Sequence, residues 1–115
     1  MSVALIFPAQ GSHSPGMLHH LLDHRAVART LDEISEELDF DVSDLDSEQG
    51  LQSDVSVQLA LFAAGIATAC ALMEQDFRPA AVGGLSVGAF GAATAAGVLR
   101  LHDAVELVKL RAFIL

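Results

Sequence analysis

Val3-Ala4-Leu5-Ile6-Phe7 is an unbroken apolar run stopped by Pro8. A run this short, with no polar alternation, predicts a strand buried on both faces, the kind found in parallel sheets. The stretch from Pro8 to Gly16 is rich in Gly, Pro and Ser and predicts a loop. Val27, Leu31, Ile34 and Leu38 recur at 4, 3 and 4 residues, the stripe of a helix with one face on a core. With Ser53 or Asp54 as its cap, a long helix is expected to run to about Gln75, apolar nearly all round and hence buried. Arg78-Pro79 breaks the chain, and Ala80-Ala81-Val82-Gly83 predicts a second short strand. A helix is expected from about Val87 to Ala96, with Gly97 as its stop. Asp103 is placed to cap a last helix whose apolar residues are Val105, Val108, Leu110 and Ile114. The order strand, helix, strand, helix specifies an α/β domain on a parallel sheet, and no internal repeat is evident.

Two segments carry no charge, 19 residues from Val55 to Met73 and 21 from Pro79 to Leu99. Either passes a length test for a membrane span. Six residues of the first are Ala and five of the second are Gly, so neither is strongly lipophilic, and core elements rather than membrane spans are expected. The N-terminus has no basic start and its apolar stretch ends at Pro8, unlike a signal peptide, so a cytoplasmic location is expected.

Composition sharpens this picture. The chain has 115 residues, 52% of them hydrophobic, which excludes disorder and gives a short sequence much apolar surface to hide. Six Lys and Arg against 15 Asp and Glu leave a net charge of −9, with no basic footprint for nucleic acid. Eleven of the 15 acids lie between Asp23 and Asp54, and the run Asp39, Asp41, Asp44, Asp46, Glu48 is expected to be a solvated face or loop. It lacks the ordered spacing of a calcium loop. The one cysteine, Cys70, sits inside the long apolar helix and is expected to be a small buried hydrophobe. Two strands are too few for a stable sheet, so the chain is expected to associate with further sequence or to expose apolar surface. The last helix reaches Phe113-Ile114-Leu115 with no stop signal, which predicts a portion of a longer protein.

Gly84-Leu85-Ser86-Val87-Gly88 matches G-x-S-x-G. In this motif a serine stands on a sharp strand-to-helix turn. Small residues two before and two after it let the neighbouring elements pass closely. The turn aims the Val87 N–H toward the place where an oxyanion would form. An apolar strand before it and an Ala-rich helix after it are the context the motif requires, although a Gly-rich turn with an incidental Ser has the same letters. Gln10, between Ala9 and Gly11 at the end of the first strand, is where a second oxyanion donor could lie; by spacing alone an ordinary loop residue is the better reading.

Phe-Pro-Ala-Gln-Gly-Ser at 7–12, Gln58, Gly-Leu-Ser-Val-Gly at 84–88, Ala-Ala-Gly-Val-Leu at 95–99 and Leu-Val-Lys-Leu-Arg at 107–111 together resemble the malonyl-CoA:acyl-carrier-protein transacylases. The resemblance implies the N-terminal part of an α/β-hydrolase-like acyltransferase domain. Residues 1–115 would form part of its large subdomain, without the small ferredoxin-like subdomain or the C-terminal part. It implies Ser86 as the nucleophile that becomes malonylated, Gln10 and Val87 as oxyanion donors, Arg111 as the group holding the free malonyl carboxylate, and Gln58 as a polar lining residue. Malonyl-CoA and an acyl-carrier protein are the implied partners, with no metal and no cofactor. Members from fatty-acid synthesis usually carry His where Leu85 stands, so the motif is most similar to the epsilon subunit of malonate decarboxylase, with that enzyme's carrier subunit as partner.

The family's general-base His lies beyond the residues of this chain. His102, beside Asp103, is expected at the surface or at a helix cap. His20 and His24, four apart, would face one another on a helix but show no third metal ligand. A fatty-acid-synthesis transacylase, an α/β-hydrolase esterase using the same elbow, and an inactive fragment needing a complementary chain remain the alternatives.

Overall fold

The computed structural model describes residues 2–114. Strand β1 (Ala4–Phe7) is followed by helix α1 (Arg25–Leu38), two short 3-10 turns (Val42–Asp46 and Gly50–Gln52) and helix α2 (Asp54–Glu74). Strand β2 (Ala81–Gly84), helix α3 (Gly88–Ala95) and helix α4 (Leu101–Ile114) complete the order. The two strands pair in parallel, Ala4 opposite Ala81 and Phe7 opposite Gly84. This register brings the carboxyl ends of both strands side by side. The loop after β1 and the turn after β2 therefore leave the sheet at the same end, where α/β folds bind ligands.

The long uncharged segment became α2, the central helix, packed against α1, α3, α4 and the first 3-10 turn. Of the two cap candidates the structure uses Ser53, whose hydroxyl accepts from the Ser56 N–H, while Asp54 lies in the first turn. The helix has the length and hydropathy to cross a membrane, yet 61% of its most apolar window is buried inside the fold. Ile34, Val42, Ile66, Val87, Val105 and Val108 are the largest fully buried side chains around it. Each such burial stabilises the fold by about 1.5–3 kcal/mol. At the far end of α2, Glu74 accepts hydrogen bonds from Arg29 and Arg25. Those bonds, the one from Arg29 first, hold its carboxyl below the usual carboxylate range.

Several sequence expectations are corrected. β1 is covered on one face only: Phe7 is buried, but Ile6 is 75% exposed. The described residues supply helices to one side of the sheet, and alternate residues of a strand point to opposite sides. Asp46 departs from the solvated acidic run. It is buried, and its carboxylate accepts from the Leu18 N–H and bonds His19 Nδ1, tying the 14–20 loop to the first 3-10 turn. Asp103 does not cap α4, which begins two residues earlier; it sits in the first turn, where its charge still favours the helix dipole. Leu110 and Ile114 are exposed, and Ala104, Val105, Val108 and Ala112 form the buried stripe instead. Cys70 is half-buried at the rim of the core. His20 and His24 share no helix, since His24 is the N-cap of α1 and accepts from the Ala26 N–H.

Phe7 is the wedge between sheet and helices. A Cβ on Gly65 of α2 or Gly91 of α3 would lie 2.9 or 2.7 Å from its ring. Closer still, a Cβ on Gly88 would stand 2.2 Å from the Phe7 carbonyl oxygen. Because that obstacle is backbone, Gly88→Ala is expected to cost about 3 kcal/mol, the upper end for overpacking. A urea unfolding midpoint checks this; an unchanged midpoint would show that β1 can retreat from α3.

Candidate active site

The turn between β2 and α3 has the geometry a nucleophile elbow needs. Ser86 has φ 59°, a left-handed conformation strained for a residue with a side chain, and its side chain is exposed. Gly84 and Gly88 permit the turn: a Cβ on Gly84 would meet the Gly88 carbonyl oxygen at 2.2 Å. Helical bonding starts with Gly88 N–H to Leu85 O and Ala89 N–H to Ser86 O, both 3.0 Å. The Val87 N–H, one residue ahead of Gly88, has no backbone acceptor among the described residues, while the Val87 side chain is buried and fixes the turn.

Arg111, in the last turn of α4, reaches this serine. Its Nη2 donates to Ser86 Oγ at 2.6 Å and its Nη1 donates to Gln58 Oε1 at 2.5 Å. Gln58 is 2% exposed on α2, so its carbonyl is a buried acceptor that requires a partner. The guanidinium is thus held by one arm and presented by the other. Three elements distant in sequence, α2, the elbow and α4, place Gln58, Ser86 and Arg111 in one hydrogen-bonded line.

Gln10 lies on the loop leaving β1 at the same end of the sheet. Its backbone N–H has no backbone acceptor among the described residues, and its side chain bonds Asp54, with Nε2 donating to Oδ1 at 2.9 Å. The sequence marks Asp54 only as a possible cap. The available signal was its spacing: Asp54 and Gln58 are four apart on α2 and share a face. His102 is exposed and bonds Glu37 of α1 through Nδ1. Among the described residues no group of three metal-ligating side chains forms.

Residues 4–114 match the acyl transferase domain family. The chain belongs to that family. It is 35% identical over 115 residues to the malonyl CoA-acyl carrier protein transacylase of Haemophilus influenzae, covering 94% of this chain and 36% of that protein. It is 39% identical over 116 residues to a phenolphthiocerol synthesis polyketide synthase of Mycobacterium marinum, covering 94% of this chain and 6% of the synthase. Among solved structures, the acyl-carrier-protein S-malonyltransferase of Burkholderia pseudomallei superposes with a TM-score of 0.89 at 35% identity, over 98% of this chain and 38% of that one. A malonyl-transacylase in complex with a type II polyketide synthase acyl-carrier protein gives 0.90 at 32% identity, over 99% and 38%. This acyl transferase segment therefore spans little more than a third of the length of its stand-alone transacylase relatives.

Proposed function

We propose that this acyl transferase segment carries the nucleophile and the carboxylate grip of a malonyltransferase that moves malonyl from malonyl-CoA to a carrier protein. The observation that carries the reading is Arg111, held by Gln58 and bonded to Ser86. An arginine fixed beside a nucleophilic serine places a cation where an acyl group with its own terminal carboxylate would put its charge. Ser86 Oγ attacks the thioester carbonyl and loses its proton to a general base. The carbonyl oxygen becomes an oxyanion facing the Val87 and Gln10 N–H groups. The C–S bond then breaks, CoA leaves as its thiol, and malonyl remains as an ester on Ser86. The carrier's thiol gives its proton to the base as its sulfur attacks that ester. The ester C–O bond breaks, malonyl passes to the carrier as a thioester, and Ser86 Oγ takes the proton from the base. No histidine is hydrogen-bonded to Ser86 among the described residues, so the reading requires the base from elsewhere in the protein.

Leu85, where fatty-acid-synthesis members usually have His, supports the carrier subunit of malonate decarboxylase as the acceptor. Incubation of the protein with malonyl-CoA and a thiol-bearing carrier should acylate the carrier. Release of free malonate without acyl-carrier would favour an esterase, and faster transfer to a fatty-acid-synthesis carrier than to the decarboxylase carrier would reject the finer assignment.

A further inference from the structure

The candidate oxyanion donor Gln10 is held by a contact that the reaction scheme above does not use. Gln10 Nε2 donates to Asp54 Oδ1 at 2.9 Å, across 44 residues of chain. On its other side, the Gly11 N–H donates to His13 Nδ1 at 3.3 Å and the Ser12 N–H donates to Ala9 O at 3.3 Å. Gly11 has φ 112°, so the loop turns sharply right after Gln10. A loop of this kind, with Gln10, Gly11 and Ser12 exposed, has little packing to fix where a backbone N–H points. Asp54 differs in kind from the loop's internal bonds, because it belongs to the first turn of α2, the rigid helix that also carries Gln58. A carboxylate in the first turn is favoured by the helix dipole, and this one is anchored to the helix backbone rather than to the loop.

From this geometry we infer that Asp54 is a positioning residue: through the Gln10 side chain it fixes the 8–13 loop to α2, and so fixes the Gln10 N–H over the serine's acyl oxygen. One helix then sets both ends of the acyl group, Gln58 through Arg111 at the carboxylate and Asp54 through Gln10 at the reacting carbonyl. The inference rests on the malonyltransferase reading.

The test uses the whole protein with malonyl-CoA and carrier, comparing Asp54→Ala, Asp54→Asn, Gln10→Ala and the double variant D54A/Q10A. An oxyanion donor acts on the transition state, so loss of its placement lowers kcat and leaves KM in place. Asp54→Ala is expected to reduce kcat about tenfold, a fraction of the effect of deleting an oxyanion donor outright. Asp54→Asn keeps an oxygen able to accept from Gln10 Nε2 and is expected to recover most of that loss, although it loses the helix-dipole stabilisation as Ala does. The double variant is expected to be no slower than the slower single variant, since the two side chains act as one contact. A kcat for Asp54→Ala within twofold of the parent, a loss confined to KM, an Asn variant as slow as Ala, or additive losses in the double variant would each overturn the assignment. Malonyl labelling of Ser86 is followed in the same samples. If the parent protein is not labelled there, the malonyltransferase reading fails; if it is labelled and the kcat pattern is absent, only the role of Asp54 fails.

Discussion

Replacing Ser86 with Ala is expected to abolish covalent labelling by malonyl-CoA, and with it carrier acylation, by at least about 10⁴-fold. Ser86 stands at the apex of the turn with φ 59° and with its side chain exposed, flanked by two glycines whose missing Cβ atoms let β2 and α3 meet. Among the described residues the hydroxyl holds no other element of the fold: its one side-chain partner there is Arg111 Nη2. Alanine also pays a similar backbone strain at positive φ, so the turn and the melting temperature should be little changed. The loss would therefore report on chemistry. Intact-mass analysis after incubation with malonyl-CoA reads it directly; an alanine variant that still gains one malonyl group would remove Ser86 from the mechanism.

The second large effect concerns selectivity. Arg111→Ala should lower kcat/KM for malonyl-CoA by about 10²-fold or more while leaving acetyl-CoA little affected, so that preference for the carboxylated acyl group collapses. The fork of Arg111 is already committed on one side to Gln58 Oε1, which leaves the Nη2 arm at Ser86, where the proposed malonyl group would be attached. Arg111→Lys keeps the charge but offers no planar pair of donors, so it should fall between the two. The alanine variant also orphans the buried Gln58 carbonyl, which is expected to lower stability by about 1–3 kcal/mol. Competition between malonyl-CoA and acetyl-CoA for Ser86 labelling separates these effects, because a purely structural loss would reduce both labels together. Unchanged selectivity would refute the role of Arg111.

The order of elements was legible in the chain because each rests on local signals. An unbroken apolar run makes β1, a 4-3-4 stripe makes α1, an uncharged Ala-rich stretch makes α2, and Gly97 at φ 81° ends α3. The elbow was legible for the same reason: glycines two residues either side of Ser86 are a local demand of the turn. Where local signals compete, the tertiary fold decides. Asp103 looks like a cap, but α4 starts before it; of the apolar residues on α4, Val105, Val108 and Ala112 are buried while Leu110 and Ile114 are exposed. Asp46 looks solvated among its acidic neighbours, yet it lies inward because the 14–20 loop supplies it with a backbone N–H and an imidazole.

The amino-acid pattern alone thus settles which segments are strands and helices, and that Ser86 sits on a strained turn, since both follow from forces acting within a few residues. It settles neither which face of each strand and helix is buried nor what Arg111 and Gln10 do. The Gln58–Arg111–Ser86 line joins residues 53 and 25 positions apart, and the Gln10–Asp54 contact joins residues 44 apart. Those contacts exist because parallel pairing of β1 with β2 puts both strand ends at one edge, and because α2, buried at the centre, presents Asp54 and Gln58 to that edge from a single face.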